Sequence, residues 1–169
     1  MRFKYLNYLI FFLILNSCQK KDAVVKRENE PDIHLLKNED EEMNIAIENA
    51  QKSLHKFKEA ITSENPNYYN FALKARFAVD DGGGEHIWIS DVQYDDNKFY
   101  GVVDGKPIST HEVKFGDTIE VRYENITDWM YFDKNIVKGA FTTRVLRKRM
   151  SQEERNAMDT ESGVKFENE

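Results

Sequence analysis

The change of hydrophobic period near Asn65 and Pro66 constrains the fold most strongly. Residues 41–62 carry apolar side chains three and four positions apart, which predicts one amphipathic helix. Proline ends this pattern. Residues 69–123 then alternate apolar and polar side chains in four runs separated by short turns, which predicts antiparallel strands. The pattern predicts an α+β fold, with a small, strongly bent antiparallel or barrel-like sheet behind an N-terminal amphipathic helix.

The C-terminal part of the chain is predicted to be helical. Residues 139–150 fit the spacing of either a strand or a helix, and their helix-forming composition favours a helix. Ser151 is followed three residues later by Glu154, the spacing of a capping box. We therefore expect short C-terminal helices in the same domain.

The first 18 residues have the pattern of a bacterial export signal. Arg2 and Lys4 precede an apolar run over residues 5–15, which is shorter than the about 20 residues that a spanning helix needs. The following Leu-Asn-Ser-Cys at residues 15–18 resembles a lipobox. This resemblance implies cleavage before Cys18 and acylation of that residue with fatty acids such as palmitate. The alternative is that Cys18 lies in an uncleaved signal anchor.

The expected organisation has four parts. Residues 1–17 are the signal peptide, residues 18–40 the lipidated N-terminus and a flexible tether, residues 41–160 a single α+β domain, and residues 161–169 a frayed tail. The partner implied by acylated Cys18 is a lipid bilayer, to which two or more acyl chains hold a protein stably. Because Gln19 is not an acid, the sequence favours a lipid anchor in the outer membrane of the cell envelope.

Composition argues against several classes of protein. The net charge of −6 is opposite in sign to that of most nucleic-acid-binding domains, so no nucleic-acid partner is expected. The single cysteine cannot form an internal disulfide, and the four histidines are too scattered for a zinc motif. The sequence indicates no metal and no cofactor.

Two short segments carry the candidate site residues. In the strand predicted for residues 85–95, alternation places His86 and Trp88 on one side and Glu85 on the other. The second segment combines an acid with aromatic side chains that line a ligand groove, form a partner surface or fill the core. Its candidate residues are Asp128, Trp129 and Tyr131.

Several motifs spread over residues 44–159 resemble a bacterial family known as domain of unknown function 2314. The resemblance implies a compact α+β domain and implies no reaction. The motifs that carry it are FALKARF at 71–77, EHIWI at 85–89, FGDTI at 115–119, DWMY at 128–131 and GAFTTRVL at 139–146.

These observations lead to one functional hypothesis and two alternatives. The first is a non-enzymatic binding or accessory domain of an envelope lipoprotein, with a possible envelope protein as its partner. The second is a small hydrolase-like enzyme that uses His86 with Glu85 or Asp128 as its acid–base pair. The third is an immunity-type protein that neutralises a toxin, suggested by the acidic charge alone. The candidate binding surface comprises His86, Trp88, Asp128, Trp129 and Tyr131.

Overall fold

The computed structural model divides the chain into two units, Met1–Leu36 and Lys37–Glu169. The predicted signal peptide and the candidate lipidation site Cys18 lie outside the residues that the structure describes. Among the described residues, no helix is long and apolar enough to cross a membrane. The described residues are 23–27, 30–35, 40–80, 82–163 and 165–166.

The first unit contains a pair of antiparallel strands. Strand β1 (Ala23–Arg27) pairs with strand β2 (Glu30–Leu35). Both strands lie within the segment 18–40, for which the sequence predicts a flexible tether. Part of that segment therefore has regular backbone pairing that its charged composition does not indicate.

The second unit is built on an open, mixed sheet. Its strands among the described residues are β3 (Tyr68–Ala78), β4 (Gly84–Asp95), β5 (Lys98–Val103), β6 (Thr118–Val121), β7 (Ile126–Asp133), β8 (Ile136–Gly139) and β9 (Lys165–Phe166). These seven strands pair in the order β6-β5-β4-β3-β7-β8-β9, and only the pairing of β8 with β9 is parallel. Bulges interrupt β3 and β4, and bulges increase the local bend and twist of a sheet. The predicted α+β class is confirmed, with a bent sheet that is not closed into a barrel.

The helix predicted over residues 41–62 is two helices. It is interrupted at Ser53, whose hydroxyl donates to the Asn49 carbonyl at 2.6 Å, a side-chain bond that bends helices. The Ala50 carbonyl accepts a bond of 2.9 Å from the indole Nε1 of Trp129. The strand contact and the serine together explain why one predicted helix becomes α1 (Glu41–Lys52) and α2 (Leu54–Ile61).

The predicted C-terminal helices are confirmed as α3 (Phe141–Arg149) and α4 (Gln152–Ser162). The capping box at the start of α4 is also confirmed. The Ser151 hydroxyl accepts from the Glu154 amide at 3.2 Å, and the Glu154 carboxylate accepts from the Ser151 amide at 2.6 Å. The sequence assigns no element to residues 124–138, and the structure places β7 and β8 there.

The main core lies between the sheet and the helices α1 and α2. Phe57 of α2 is fully buried and packs against Phe71, Phe99 and Trp129, with ring centres 5.6, 5.7 and 5.9 Å away. A Cβ at Gly139, which has a φ of +75°, would collide with Trp129. Close packing of the indole therefore requires glycine at this position. We call the side of the sheet that faces this core the inner face.

A smaller cluster covers one end of the opposite side of the sheet. Val137, Ala140 and Phe166 are buried there, and Met130 and Met158 pack against them. Met158 belongs to α4, so this helix covers the sheet next to β8 and β9. The centre of the same side carries polar residues.

Candidate functional site

The candidate site lies on the outer face, which we define by five residues of β3, β4 and β7. Alternation along β3 directs Leu73 and Ala75 into the core, so the residue between them points the other way. The strand ladder places Lys74 opposite Trp88 on one side and Asp128 on the other, and Arg76 opposite His86. The outer face thus brings together Lys74, Arg76, His86, Trp88 and Asp128.

Asp128 is fully buried and holds the start of α3. Its carboxylate accepts from the Phe141 amide at 3.1 Å and from the Thr142 amide and hydroxyl at 2.8 and 2.6 Å. The N-cap residue of α3 is Ala140, which has no capping side chain, so a carboxylate from β7 takes that role. Burial raises the pKa of Asp128, while the charge of Lys74 and the bonds from Thr142 and Trp129 act in the opposite direction.

Lys74 lies between Asp128 and Trp88. Its ammonium donates to the Thr142 hydroxyl at 2.8 Å, and that hydroxyl donates in turn to Asp128. The same ammonium lies 4.7 Å from the centre of the Trp88 ring, within range of a cation–π contact. Burial lowers the pKa of Lys74, and the charge of Asp128 opposes this shift. The contacts with Thr142 and Asp128 hold the Lys74 ammonium in place against the Trp88 ring.

His86 is half-buried and is predominantly neutral near pH 7. Its Nδ1 lies 2.9 Å from the Thr127 hydroxyl, which donates its proton to the Lys74 carbonyl at 3.2 Å. Because that hydroxyl has one proton, Nδ1 carries the imidazole proton and Nε2 is an acceptor. Burial lowers the pKa of His86 to about 4, and the charges of Lys74 and Arg76 add to the effect. The residue can accept a hydrogen bond at neutral pH.

Glu85 lies on the inner side of β4 and does not contact His86. It is 5% exposed, and its carboxylate accepts from the amides of Ile108, Ser109 and Thr110 at 2.8, 2.9 and 2.9 Å. Its role is to hold the loop between β5 and β6. An acid on the apolar side of a predicted strand is the sequence signal for such a buried, satisfied carboxylate.

Trp129 and Tyr131 do not belong to the candidate surface, which corrects the prediction that included them. They are 3% and 9% exposed and lie in the core with their rings stacked 6.1 Å apart. Both residues sit on the inner side of β7, where their large apolar area packs against Phe57 and Phe71. Of the roles that the sequence left open for these two aromatic residues, filling the core is the one that the structure shows.

The outer face retains His86 and Trp88 as half-buried candidate residues, and the buried Asp128 lies on the other side of Lys74. Sequence reasoning missed Lys74, Thr127 and Thr142. Alternation places Lys74 opposite to the apolar residues of β3, but its contacts depend on the register of β3 with β7. Within the part of the chain that the structure describes, no group of His, Cys, Asp and Glu side chains could hold a metal ion.

The fold and the site define a small α+β domain with an open mixed sheet and a polar cluster on its outer face. The chain belongs to the bacterial family described as "Uncharacterized protein conserved in bacteria (DUF2314)", which matches residues 40–166. The match confirms the family resemblance that the sequence motifs indicate. It includes every residue of the outer face.

Two curated relatives support the same assignment. The chain is 32% identical over 141 residues to "Putative ankyrin repeat protein NMB1133/NMB1171" of Neisseria meningitidis serogroup B (strain ATCC BAA-335 / MC58), covering 79% of this chain and 56% of that protein. It is 34% identical over 100 residues to "Uncharacterized protein YegJ" of Escherichia coli (strain K12), covering 59% of this chain and 63% of that protein. The alignments thus span less than two thirds of either relative. No solved structure matches the chain significantly.

Proposed function

We propose that this protein is a lipoprotein of the bacterial cell envelope whose α+β domain binds a ligand or a partner protein and catalyses no reaction. The anchor is the acylated Cys18 at the end of the sequence that resembles a lipobox. Each buried CH₂ group of an acyl chain contributes about 0.8 kcal/mol, so two or more chains hold the protein at a bilayer. Gln19 favours the outer membrane as its location.

The observation that best supports a binding role is that Glu85 and Asp128, the two acids considered as partners of His86, are both occupied by other hydrogen bonds. Glu85 lies on the other face of the sheet with its carboxylate bonded to three backbone amides. Asp128 is buried and bonded to the start of α3. The hydrolase alternative pairs one of these acids with His86, whose Nδ1 instead contacts Thr127. The geometry therefore supports binding better than hydrolysis.

The outer face is suited to binding because its polar groups are already held in place. Lys74 fixes the Trp88 ring from one side, and Thr127 fixes the His86 imidazole. A surface that is ordered before binding loses less conformational entropy when a partner arrives. The toxin-neutralising alternative rests on acidic charge, and no contact among the described residues adds support to it.

The anchor is tested by labelling cells with palmitate and comparing the wild type with Cys18→Ala. We expect label in the wild type, no label in the variant, and movement of the variant from the membrane fraction to the soluble fraction. A matched variant, Gln19→Asp, tests the outer-membrane placement and should move labelled protein to the inner membrane. An unlabelled wild-type protein that retains its first 17 residues would contradict the proposal.

The binding face is tested in a deletion strain that is complemented with Trp88→Ala or His86→Ala. The control is Tyr69→Ala, which removes another partly exposed aromatic side chain, 43% exposed, near the other end of β3. We expect the two outer-face variants to remain folded, with only small shifts in melting temperature, and to lose complementation, while the control stays folded and complements the deletion. Full complementation by both outer-face variants would contradict a binding role for this face.

A further inference from the structure

A second candidate site lies beside helix α2, away from the residues of the outer face. It is an open depression of about 440 Å³, within the size range of small-molecule sites. The lining residues come from α2, from the turn between β4 and β5, and from the segment after β6. They are Leu54, His55, Lys58, Asn97 and Tyr123.

The aromatic wall of this depression is Tyr123, and the rings of Phe99 and Tyr94 support it. Phe99 is fully buried, and its ring centre lies 4.9 Å from that of Tyr94 and 5.2 Å from that of Tyr123. The Tyr94 hydroxyl donates to the Asn97 side chain at 3.0 Å. Burial raises the pKa of Tyr123 to about 12, and the neighbouring Tyr94 hydroxyl adds to this shift. Tyr123 is nevertheless 42% exposed, so a rigid aromatic side chain faces solvent.

A lysine lies at the edge of the same wall. The Lys58 ammonium is 4.8 Å from the centre of the Tyr94 ring, and its proximity lowers the pKa of Tyr94. Among the described residues, no carboxylate forms an ion pair with Lys58, although the chain has a net charge of −6. A cation held at an aromatic wall without a carboxylate partner suits an anionic ligand.

The remaining edge of the depression offers polar groups in fixed positions. The Nδ1 atom of His55 lies 3.2 Å from the Lys52 carbonyl and donates to it, which leaves Nε2 for a ligand. Asn97 contributes a side-chain amide to the same lining, where its Oδ1 accepts from the Tyr94 hydroxyl. A sugar ring has an apolar face of C–H groups that packs on aromatic side chains, and hydroxyl groups at its edge that bond to imidazole and amide groups.

We propose that the depression between α2 and Tyr123 binds a saccharide that carries a carboxylate group. Tyr123 packs against the ring of the sugar, Lys58 pairs with its carboxylate, and His55 and Asn97 bond to its hydroxyl or acetamido groups. This site shares no residue with the outer face and does not depend on the function proposed for that face.

The test is isothermal titration calorimetry of the detergent-solubilised full chain with two sugars. N-acetylmuramic acid carries a carboxylate, and N-acetylglucosamine is the matched ligand without one. We expect the acidic sugar to bind at least about tenfold more tightly, a ratio that reports the ionic contact. Lys58→Met should abolish most of this ratio, whereas Lys56→Met, the same change at an exposed position of the same helix, should preserve it.

The aromatic contact is tested with the same two ligands. Tyr123→Ala should weaken both by about tenfold or more, Tyr123→Phe should retain binding because the ring remains, and Tyr69→Ala should have no effect. Circular dichroism spectra and melting curves establish that each variant is folded. Absence of binding by both sugars, equal affinities for them, or a ratio unchanged in Lys58→Met would overturn the proposal.

Discussion

The two faces of the sheet bury their residues for different physical reasons. Two adjacent residues of strand β7 show the difference. Trp129 on the inner face is 3% exposed, and Asp128 on the outer face is 0% exposed. The indole is buried among other aromatic rings, whereas the carboxylate is buried among hydrogen-bond donors. The inner face stabilises the fold through apolar area, and the outer face does so by satisfying a charge.

The largest effect is expected when the inner face loses its indole. Trp129→Ala leaves a cavity beside Phe57 and removes the bond to the Ala50 carbonyl, so we expect a loss of about 4 kcal/mol in the free energy of unfolding. Urea denaturation measures this loss. The matched control is Trp88→Ala on the outer face, which should cost less than about 1 kcal/mol. Equal losses in the two variants would refute the distinction between the faces.

Removal of the buried charge should have the next largest effect. Asp128→Ala leaves the start of α3 uncapped and Lys74 without its neighbouring carboxylate, for an expected loss of about 3 kcal/mol in urea denaturation. Adding Lys74→Met should restore part of that stability, because no unpaired charge then remains. If the double variant loses the full sum of the two single losses, the charges are not coupled as described.

The stability of the fold should depend on His86 between pH 7 and pH 4. Its pKa is about 4 in the folded state and near 6.5 in the unfolded chain, so the unfolded chain binds more protons over this range. Acidification therefore favours unfolding, and His86→Gln should remove roughly 2 to 3 kcal/mol of the pH-dependent loss. Urea denaturation at pH 7, 5.5 and 4 compares the wild type with the variant. Parallel pH profiles would show that this imidazole keeps an ordinary pKa.

The smallest loss of stability should come from breaking an ion pair at the surface. Its size provides the comparison for the loss expected when the buried Asp128 is removed. Arg149 of α3 binds the Asp40 carboxylate through two bonds of 2.6 and 2.9 Å. Because the Arg149 side chain is 37% exposed, Arg149→Met should cost only about 1 kcal/mol, and less at high salt. Lys148→Met is the matched control in the same helix. A loss for Arg149→Met as large as that for Asp128→Ala would mean that burial does not distinguish the two contacts.

Patterns that depend on neighbouring residues predict much of this fold. The alternation of β3 and the capping box at Ser151 arise from spacing within a few residues, and both are found in the structure. The interruption at Ser53 could not be predicted fully, because part of its cause is a bond from Trp129, 79 positions from Ala50. Contacts of this kind require the strand order and helix placement, which spacing alone does not supply.

The candidate site was predictable only in part for the same reason. Alternation correctly separates Glu85 from His86 and places Trp88 beside His86 on one side of β4. The sequence could not decide between surface and core for Trp129, because a central strand buries both of its sides. The roles of Lys74 and Asp128 follow from a register between β3 and β7 that no local pattern encodes.

Quenching of tryptophan fluorescence by acrylamide tests the contrast between the two faces most directly. The chain has two tryptophans, so Trp129→Phe reports Trp88 alone, and Trp88→Phe reports Trp129 alone. We predict appreciable quenching of the half-buried Trp88 and almost none of Trp129, in variants that melting curves show to be folded. Equal quenching of both residues, or stronger quenching of Trp129, would contradict the assignment of Trp129 to the core and of Trp88 to the outer face.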